Sequence, residues 1–134
     1  MKIVEAIVIF LPIKVKSPNI KEHWAVRMRR TKEQRWLTKT KVESDLKAMP
    51  KTAEWVLGDK HRLEVTLKRA GVRFMDEDNL EAALKPIRDG VADALFPNVK
   101  QANRDNHSGI QWSYGQEKAK KRDVGIYIII KAIE

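Results

Sequence analysis

Two dense runs of apolar, β-branched residues constrain the fold of this chain more than any other feature. Ile3 to Leu11 is almost continuously apolar, and Val124 to Ile133 is a second run of the same kind. Such runs are typical of strands, and the first suits a strand that is buried on both faces of a sheet. The first run is too short to span a bilayer, and no small-residue cleavage site follows it. We therefore expect neither export nor membrane insertion.

Two other segments have the alternation of half-buried strands. Residues 62–68 alternate between apolar and polar side chains, and residues 110–114 do the same. A period of two places alternate side chains on opposite faces of a sheet. We expect the last two strands of the chain to form a hairpin around the basic turn at residues 118–122.

Two helices are predicted between these strands. Thr31 to Gln34 has the form of a capping box, and no Gly or Pro follows before Pro50, which predicts a helix over 32–48. The expected apolar face of this helix is ragged and comprises Trp36, Val42, Leu46 and Met49. A second helix is predicted from Asp78 to Leu95. Its apolar stripe is tight and comprises Leu80, Leu84, Ile87, Val91 and Leu95.

The order of elements is strand, helix, strand, helix, strand, strand, and no internal repeat is visible. With 134 residues, 43% of them hydrophobic, the chain is large enough for one cored domain and too small for two. We predict a single α+β domain over residues 1–134, with two main helices packed on a mixed sheet of about four strands.

The charge of the chain points to a polyanionic partner. There are 27 Lys and Arg against 18 Asp and Glu, a formal charge of +9, and the simplest partner for such a protein is nucleic acid. A soluble protein with many surface lysines is the alternative, but seven cations fall between residues 27 and 41, opposed only by Glu33. The absence of cysteine excludes disulfides, thiolate zinc sites and cysteine nucleophiles, and it fits a cytoplasmic protein.

Negative charge is nevertheless concentrated in one stretch, MDEDNLEAALKPIRDG, at residues 75–90. Asp78 can be an ordinary helix N-cap, and acids in a first turn complement the helix dipole. On a helical wheel Lys85 and Asp89 fall within about 20° of Asp78, as in many surface helices. Neither explanation covers Asp76, which stands beside Asp78 where two carboxylates can face one ion. Carboxylate oxygens are ligands that Mg²⁺ prefers, so a metal site and a surface role both remain open.

Asp105 is a candidate third acid for this site. The loop from Leu95 to Asp105 can span at most ~33 Å, and the helix from Asp78 to Leu95 is about 26 Å long. The loop can therefore return Asp105 to the starting end of that helix. The third strand would then begin beside Asp76 and run antiparallel to the second strand.

These motifs together resemble those of the RusA-type Holliday junction resolvases. The pattern is D-x-D-N-L, then K-x-x-x-D, then a lone Asp before a later strand, and it comprises Asp76, Asp78, Asn79, Leu80, Lys85, Asp89 and Asp105. Looser similarity extends to SPNIKEHWAVRMRRTKEQR near the N-terminus. Two departures are visible, since Ala82 stands where the family lysine often lies and Arg104 stands where the family tends to have another Asp.

The resemblance implies a homodimeric endonuclease that cuts four-way DNA junctions with Mg²⁺ or Mn²⁺. Asp76, Asp78 and Asp105 match the family's metal-binding aspartates, and Lys85 matches its catalytic lysine. Asn79 and Asp89 are possible supporting residues. The cations that we expect to contact DNA are Arg27, Arg29, Arg30, Lys32, Arg35 and Arg73. Two other functions remain open, a branched-DNA-binding module without cleavage activity and a basic RNA-binding domain.

Overall fold

Alternating and periodic apolar residues produce four strands and three α-helices in the computed structural model, which describes residues 3–58, 62–97 and 109–133. The elements are β1 (Ile3–Leu11), α1 (Trp24–Ala48), α2 (Pro50–Leu57), β2 (Arg62–Gly71), α3 (Glu77–Leu95), β3 (Ile110–Lys118) and β4 (Gly125–Ile133). A short 3₁₀ turn, Lys121–Asp123, precedes β4. The fold is the predicted α+β arrangement, with three helices and a mixed sheet.

The four strands form one sheet in the order β1–β4–β2–β3. β4 lies between β1 and β2 and is antiparallel to both, whereas β2 and β3 are parallel. Parallel neighbours need a crossover connection, and α3 lies in the connection from β2 to β3.

The prediction of a hairpin between the last two strands is therefore wrong, because β2 lies between β3 and β4. The predicted antiparallel pairing of the second and third strands is also wrong. Ile110 pairs with Leu63, and Lys118 pairs with Gly71. β3 therefore begins at the end of the sheet where β2 begins, not beside Asp76. A helical crossover reverses the chain direction twice, so the strand after it runs parallel to the strand before it.

Within the described residues, the helices cover one face of the sheet and leave the other uncovered. On that face Leu63, Val65 and Leu67 of β2 are buried, together with apolar residues of α3 and β4. The expectation that the first strand is buried on both faces is wrong, because Ile9 is fully buried while Val8 is 62% exposed. β1 is an edge strand with apolar residues on both faces, but helices lie on only one of them.

α1 begins eight residues earlier than predicted (at Trp24, against residue 32). Its N-cap is His23, whose Nδ1 accepts a hydrogen bond from the Ala25 N–H at 3.1 Å. Thr31, predicted to cap the helix, lies inside it, and its hydroxyl donates to the Met28 carbonyl at 3.1 Å. A threonine hydroxyl that donates to the carbonyl of the preceding turn is compatible with a helix interior. The capping-box pattern at Thr31 therefore did not mark the start of the helix.

The buried row of α1 also differs from the predicted one. It comprises Gln34, Thr38, Val42 and Leu46, whereas Trp36 is 61% exposed and Met49 is 42% exposed. α2 was not predicted as a separate helix; Pro50 stands at its start, where a missing N–H is tolerated. No helix within the described ranges has the length and apolar character needed to cross a membrane.

Candidate metal and nucleic-acid site

The acidic residues of the motif lie at the start of α3. Asp76 is the N-cap, in an extended conformation, and its carbonyl accepts hydrogen bonds from the Asn79 and Leu80 N–H groups at 2.9 Å each. Its carboxylate makes no capping hydrogen bond. An N-cap Asp normally uses that carboxylate on the first turn, so here the usual structural role is not filled. Asp76 and Asp78 are both exposed.

Neither of these aspartates is neutralised by the rest of the described chain. Across residues 3–58, 62–97 and 109–133, neither Asp76 nor Asp78 has an ion pair with a Lys or Arg. The same ranges contain no group of three His, Asp or Glu placed to hold a metal ion. The predicted third ligand, Asp105, lies outside the described residues, as does Arg104.

The segment that leads into Asp76 is held in place by Gln116 of β3. The Met75 N–H donates to Gln116 Oε1 at 2.9 Å, and Gln116 Nε2 donates to the Met75 carbonyl at 2.7 Å. The amide thus bonds to both polar groups of one backbone residue. Because Asp76 follows Met75 directly, this contact fixes where the acidic start of α3 lies relative to the sheet.

Arg69 joins the same network from β2. Its Nη1 donates to Gln116 Oε1 at 3.2 Å and to the Arg73 carbonyl at 2.8 Å. A Cβ at Gly71 would lie 2.6 Å from the guanidinium, so a side chain at that position would displace it. Burial lowers the pKa of Arg69, although an arginine remains protonated at neutral pH. Arg69 thus ties Arg73 to the sheet and Gln116 ties Met75 to it, so both ends of the segment 73–75 are held.

Lys85 and Asp89, the second half of the motif, lie farther along α3 and belong to its contact with α1. Lys85 Nζ is 3.0 Å from Asp89 Oδ1, and Arg35 Nη1 is 3.8 Å from Asp89 Oδ2. Arg35 also donates two hydrogen bonds to Asp93, at 2.6 and 2.8 Å. Asp93 is only 5% exposed. Lys85 lies seven positions after Asp78, which is ~10.5 Å along the helix axis.

The predicted DNA-contacting cations of α1 fall into two groups. Arg29 and Lys32 are exposed and form no ion pair within the described residues, whereas Arg27, which is also exposed, and Arg30 both form ion pairs with Glu22. The hydrogen bond from Arg30 is the main reason that the pKa of Glu22 lies below its ordinary value. Arg35 is engaged by Asp93 and Asp89, as described above.

The arginines of α1 nevertheless lie close to α3. Arg27, Arg30 and Gln34 line a small cavity of about 80 Å³ together with Ala82 and Pro86. Ala82 is one turn after Asp78. The first turns of α1 thus place cationic side chains beside the first turns of α3. Arg73, the remaining predicted DNA contact, is exposed three residues before Asp76.

Sequence reasoning missed Gln116 and Arg69. Both continue the alternation of their strands on the helix-covered face, where the preceding members, Leu67 and Tyr114, contribute to the core. The signal was a polar residue at a position where the pattern calls for an apolar one. The role of these residues depends on the pairing of Arg69 with Gln116 in a parallel register, whereas the second and third strands were predicted to run antiparallel.

Comparisons of the chain with protein-family models, curated proteins and solved structures gave no match. The argument for function therefore starts from the residues and contacts described above.

Proposed function

We propose that the protein is a metal-dependent endonuclease of the RusA type that cuts four-way DNA junctions. The observation that carries the proposal is the state of Asp76 and Asp78. They are two exposed carboxylates at one helix start, without a capping bond and without an ion pair in the described chain. Two neighbouring carboxylates repel each other, and a cation that binds both of them relieves that repulsion. The chain has 27 Lys and Arg and a formal charge of +9. It therefore has many cations that could neutralise these two carboxylates, yet none of the described ones pairs with them.

The oxygen donors of Asp76 and Asp78 suit a hard divalent cation such as Mg²⁺. When bound, such an ion supplies stabilisation of the charge that develops during phosphodiester hydrolysis and lowers the pKa of bound water. The part of the protein is to hold the two carboxylates in place, and the contact of Gln116 with Met75 supports that role. Asp105 is proposed as a third ligand and Lys85 as the catalytic lysine, both on the sequence resemblance.

The cations around this acidic start support a nucleic-acid substrate. Arg29 and Lys32 of α1 are exposed on the helix that packs against α3, and Arg73 is exposed just before Asp76. Lys and Arg side chains bind DNA mainly through phosphates, independently of sequence. Of these cations, Arg73 is three residues from Asp76 in sequence, so a phosphate contact there favours binding of a strand close to the carboxylates, which by themselves would repel it.

The proposal is tested by incubating the protein with an end-labelled four-way DNA junction and with a linear duplex of the same sequence. With Mg²⁺ or Mn²⁺ we expect paired nicks in opposing arms of the junction and little cutting of the duplex. With EDTA we expect none. Undiminished cleavage in EDTA would overturn the metal-dependent mechanism.

The other outcomes separate the alternatives. Tight junction binding without cleavage in either metal would favour a binding module that lacks nuclease activity. Preference for RNA over branched DNA would favour an RNA-binding domain. Because a junction has two symmetric strands to cut, we also propose a homodimer in the cytoplasm. Light scattering that gives 15.5 kDa with cleavage retained would exclude the dimer.

A further inference from the structure

A basic cleft lies at the end of the sheet where β2 ends. Its volume is about 650 Å³, within the range of ligand-binding clefts. Three separate segments line it, namely the residues after β1, the end of β2 with the loop that follows, and the 3₁₀ turn before β4. Its cationic lining residues are Lys14, Arg69, Arg73, Lys121 and Arg122.

The charges of this cleft are not neutralised within the described chain. None of the described lining residues is an Asp or Glu. Lys14, Arg73 and Lys121 form no ion pair with any carboxylate that the structure describes. Arg122 has only a long contact of 3.9 Å with Asp123, and both side chains are largely exposed. Unpaired like charges on three segments repel one another, so an anion that binds between them relieves that repulsion.

The lining also carries apolar surface. Pro12, Ile13, Val72 and Val124 lie among the cations. A free inorganic anion makes no use of such surface, whereas the sugar of a nucleotide packs against it. The combination of separated cations and apolar contacts fits a phosphodiester strand, since phosphate contacts provide affinity and sugars fill the space between them.

The cleft and the cavity lined by the arginines of α1 each include a residue that is close in sequence to the acidic start of α3. Arg73 lines the cleft and precedes Asp76 by three residues, at most ~10 Å of chain. Ala82 borders the cavity of Arg27 and Arg30 and follows Asp78 by one helical turn, ~6 Å.

The loop after β1 connects the two basic regions. Lys14 faces the cleft, Lys16 faces the α1 side, and Val15 between them is buried with 2% exposure. Val15 anchors the loop in the core between a lysine that lines the cleft and a lysine that lines the cavity beside α1.

We infer that this cleft is a second phosphate-binding site that holds the nucleic-acid strand on one side of Asp76 and Asp78 while α1 holds it on the other. The inference rests on the proposed function for the identity of the ligand, which is the phosphodiester backbone of DNA. The strand then crosses the acidic start of α3 between two cationic surfaces. Binding energy from both sides opposes the repulsion between the carboxylates and the phosphates.

The test is the salt dependence of junction binding in EDTA, where no cutting occurs. The variant Lys14→Gln/Lys121→Gln removes two exposed charges from the cleft. Each lost phosphate contact lowers the log–log salt slope by ~0.9, so we expect a slope shallower by about two and an affinity at 0.1 M salt at least ~10-fold weaker. The matched control, Lys47→Gln/Lys51→Gln, removes two exposed charges that do not line the cleft. Its slope is expected to change by less than ~0.5.

Failure of this inference is distinguishable from failure of the proposed function. If the wild-type protein and the cleft variant bind the junction with the same log–log salt slope, the cleft is not a phosphate-binding site. That result leaves the nuclease proposal intact. An equal loss in the cleft variant and the control overturns it as well, because only net charge would then matter. Wild-type protein that does not bind the junction overturns both proposals. Since all four lysines are exposed, an unchanged thermal midpoint verifies that the variants are folded.

Discussion

The two ends of the acidic series along α3 differ in how their charge is neutralised. Near its end, Asp93 is 5% exposed and receives two hydrogen bonds from Arg35, and Asp89 is bracketed by Lys85 and Arg35. At its start, Asp76 and Asp78 are exposed and have no ion pair in the described chain. The same residue type in one helix thus serves α1–α3 packing at one end and remains available to a ligand at the other.

Burial explains this difference. A carboxylate that loses its water must gain a partner inside the protein, and removal of that partner leaves a costly unpaired charge. An exposed carboxylate keeps its hydration and needs no partner. Substitutions near the end of α3 should therefore affect stability first, and substitutions at its start should affect activity first.

The largest expected effect is at the start of α3. Asp78→Asn removes a proposed metal ligand and should lower junction cleavage by at least ~10²–10³-fold, while the free energy of unfolding changes by less than ~0.5 kcal/mol. Binding in EDTA should be kept or strengthened, because a charge that repels phosphate is removed. Asp76→Asn should behave alike. Asp45→Asn, which removes a surface carboxylate of α1, is the control. Parallel loss of binding and thermal stability would indicate a structural role instead.

Lys85 tests the comparison between the two ends of α3, because it lies between the exposed acids at the start and the ion-paired acids near the end. Lys85→Ala should slow cleavage by ~10²–10³-fold, the scale for one preorganised charge stabiliser, with junction binding retained. Lys41→Ala is a close control, because Lys41 and Asp45 form an i,i+4 pair at the same 3.0 Å as Lys85 and Asp89. Single-turnover cleavage is the measurement. A Lys85→Ala enzyme that cuts at the wild-type rate would assign this lysine to helix packing alone.

Gln116 tests whether the start of α3 must be held to the sheet. Gln116→Ala removes both hydrogen bonds to Met75 and should reduce cleavage by about 10²-fold, since small displacements of reacting groups have effects of that size. Raising Mg²⁺ should partly restore the rate if the carboxylates are only misplaced. Gln111→Ala, exposed on the same strand, is the control. Equal losses in both variants would mean that β3 matters only as a whole.

At the packed end of α3, stability should change first. Asp93→Ala leaves Arg35 without its main partner and should destabilise the protein by about 3 kcal/mol, measured by urea unfolding. The double variant Arg35→Met/Asp93→Leu should recover most of that loss, because it removes both charges and fills the space. A loss for Asp93→Ala no larger than that for the surface variant Asp45→Ala would contradict the contrast between the two ends.

A smaller effect is expected at Gly90, where α3 packs tightly against α1. A Cβ at Gly90 would lie 2.5 Å from the Arg35 carbonyl and 2.6 Å from Thr38 Cβ. Gly90→Ala should therefore destabilise by about 1–2 kcal/mol, despite the better helix propensity of Ala. Gly115→Ala is the control, since its Cβ would meet only Lys68 Cγ, at 3.8 Å. A stabilised Gly90→Ala protein would show that the helices separate easily.

Much of the local structure could be predicted from the sequence. The alternation at 62–68 and 110–114 correctly located β2 and the first part of β3, and the apolar stripe from Leu80 to Leu95 located α3. The position of the acidic pair at a helix start was also predictable. Periodicity reports which side chains share a face, and that information is contained in a short segment.

The strand neighbours, strand directions and charge partners were decided only by the tertiary structure. Periodicity does not say whether β3 pairs with β4 or with β2, because either arrangement buries the same face. Arg35 and Asp93 are 58 residues apart, so their pairing depends on how α1 packs on α3. The contact of Gln116 with Met75 exists because the crossover through α3 makes β3 parallel to β2. The sequence thus determined where carboxylates and cations occur, and packing decided which of them neutralise each other and which remain available to a ligand.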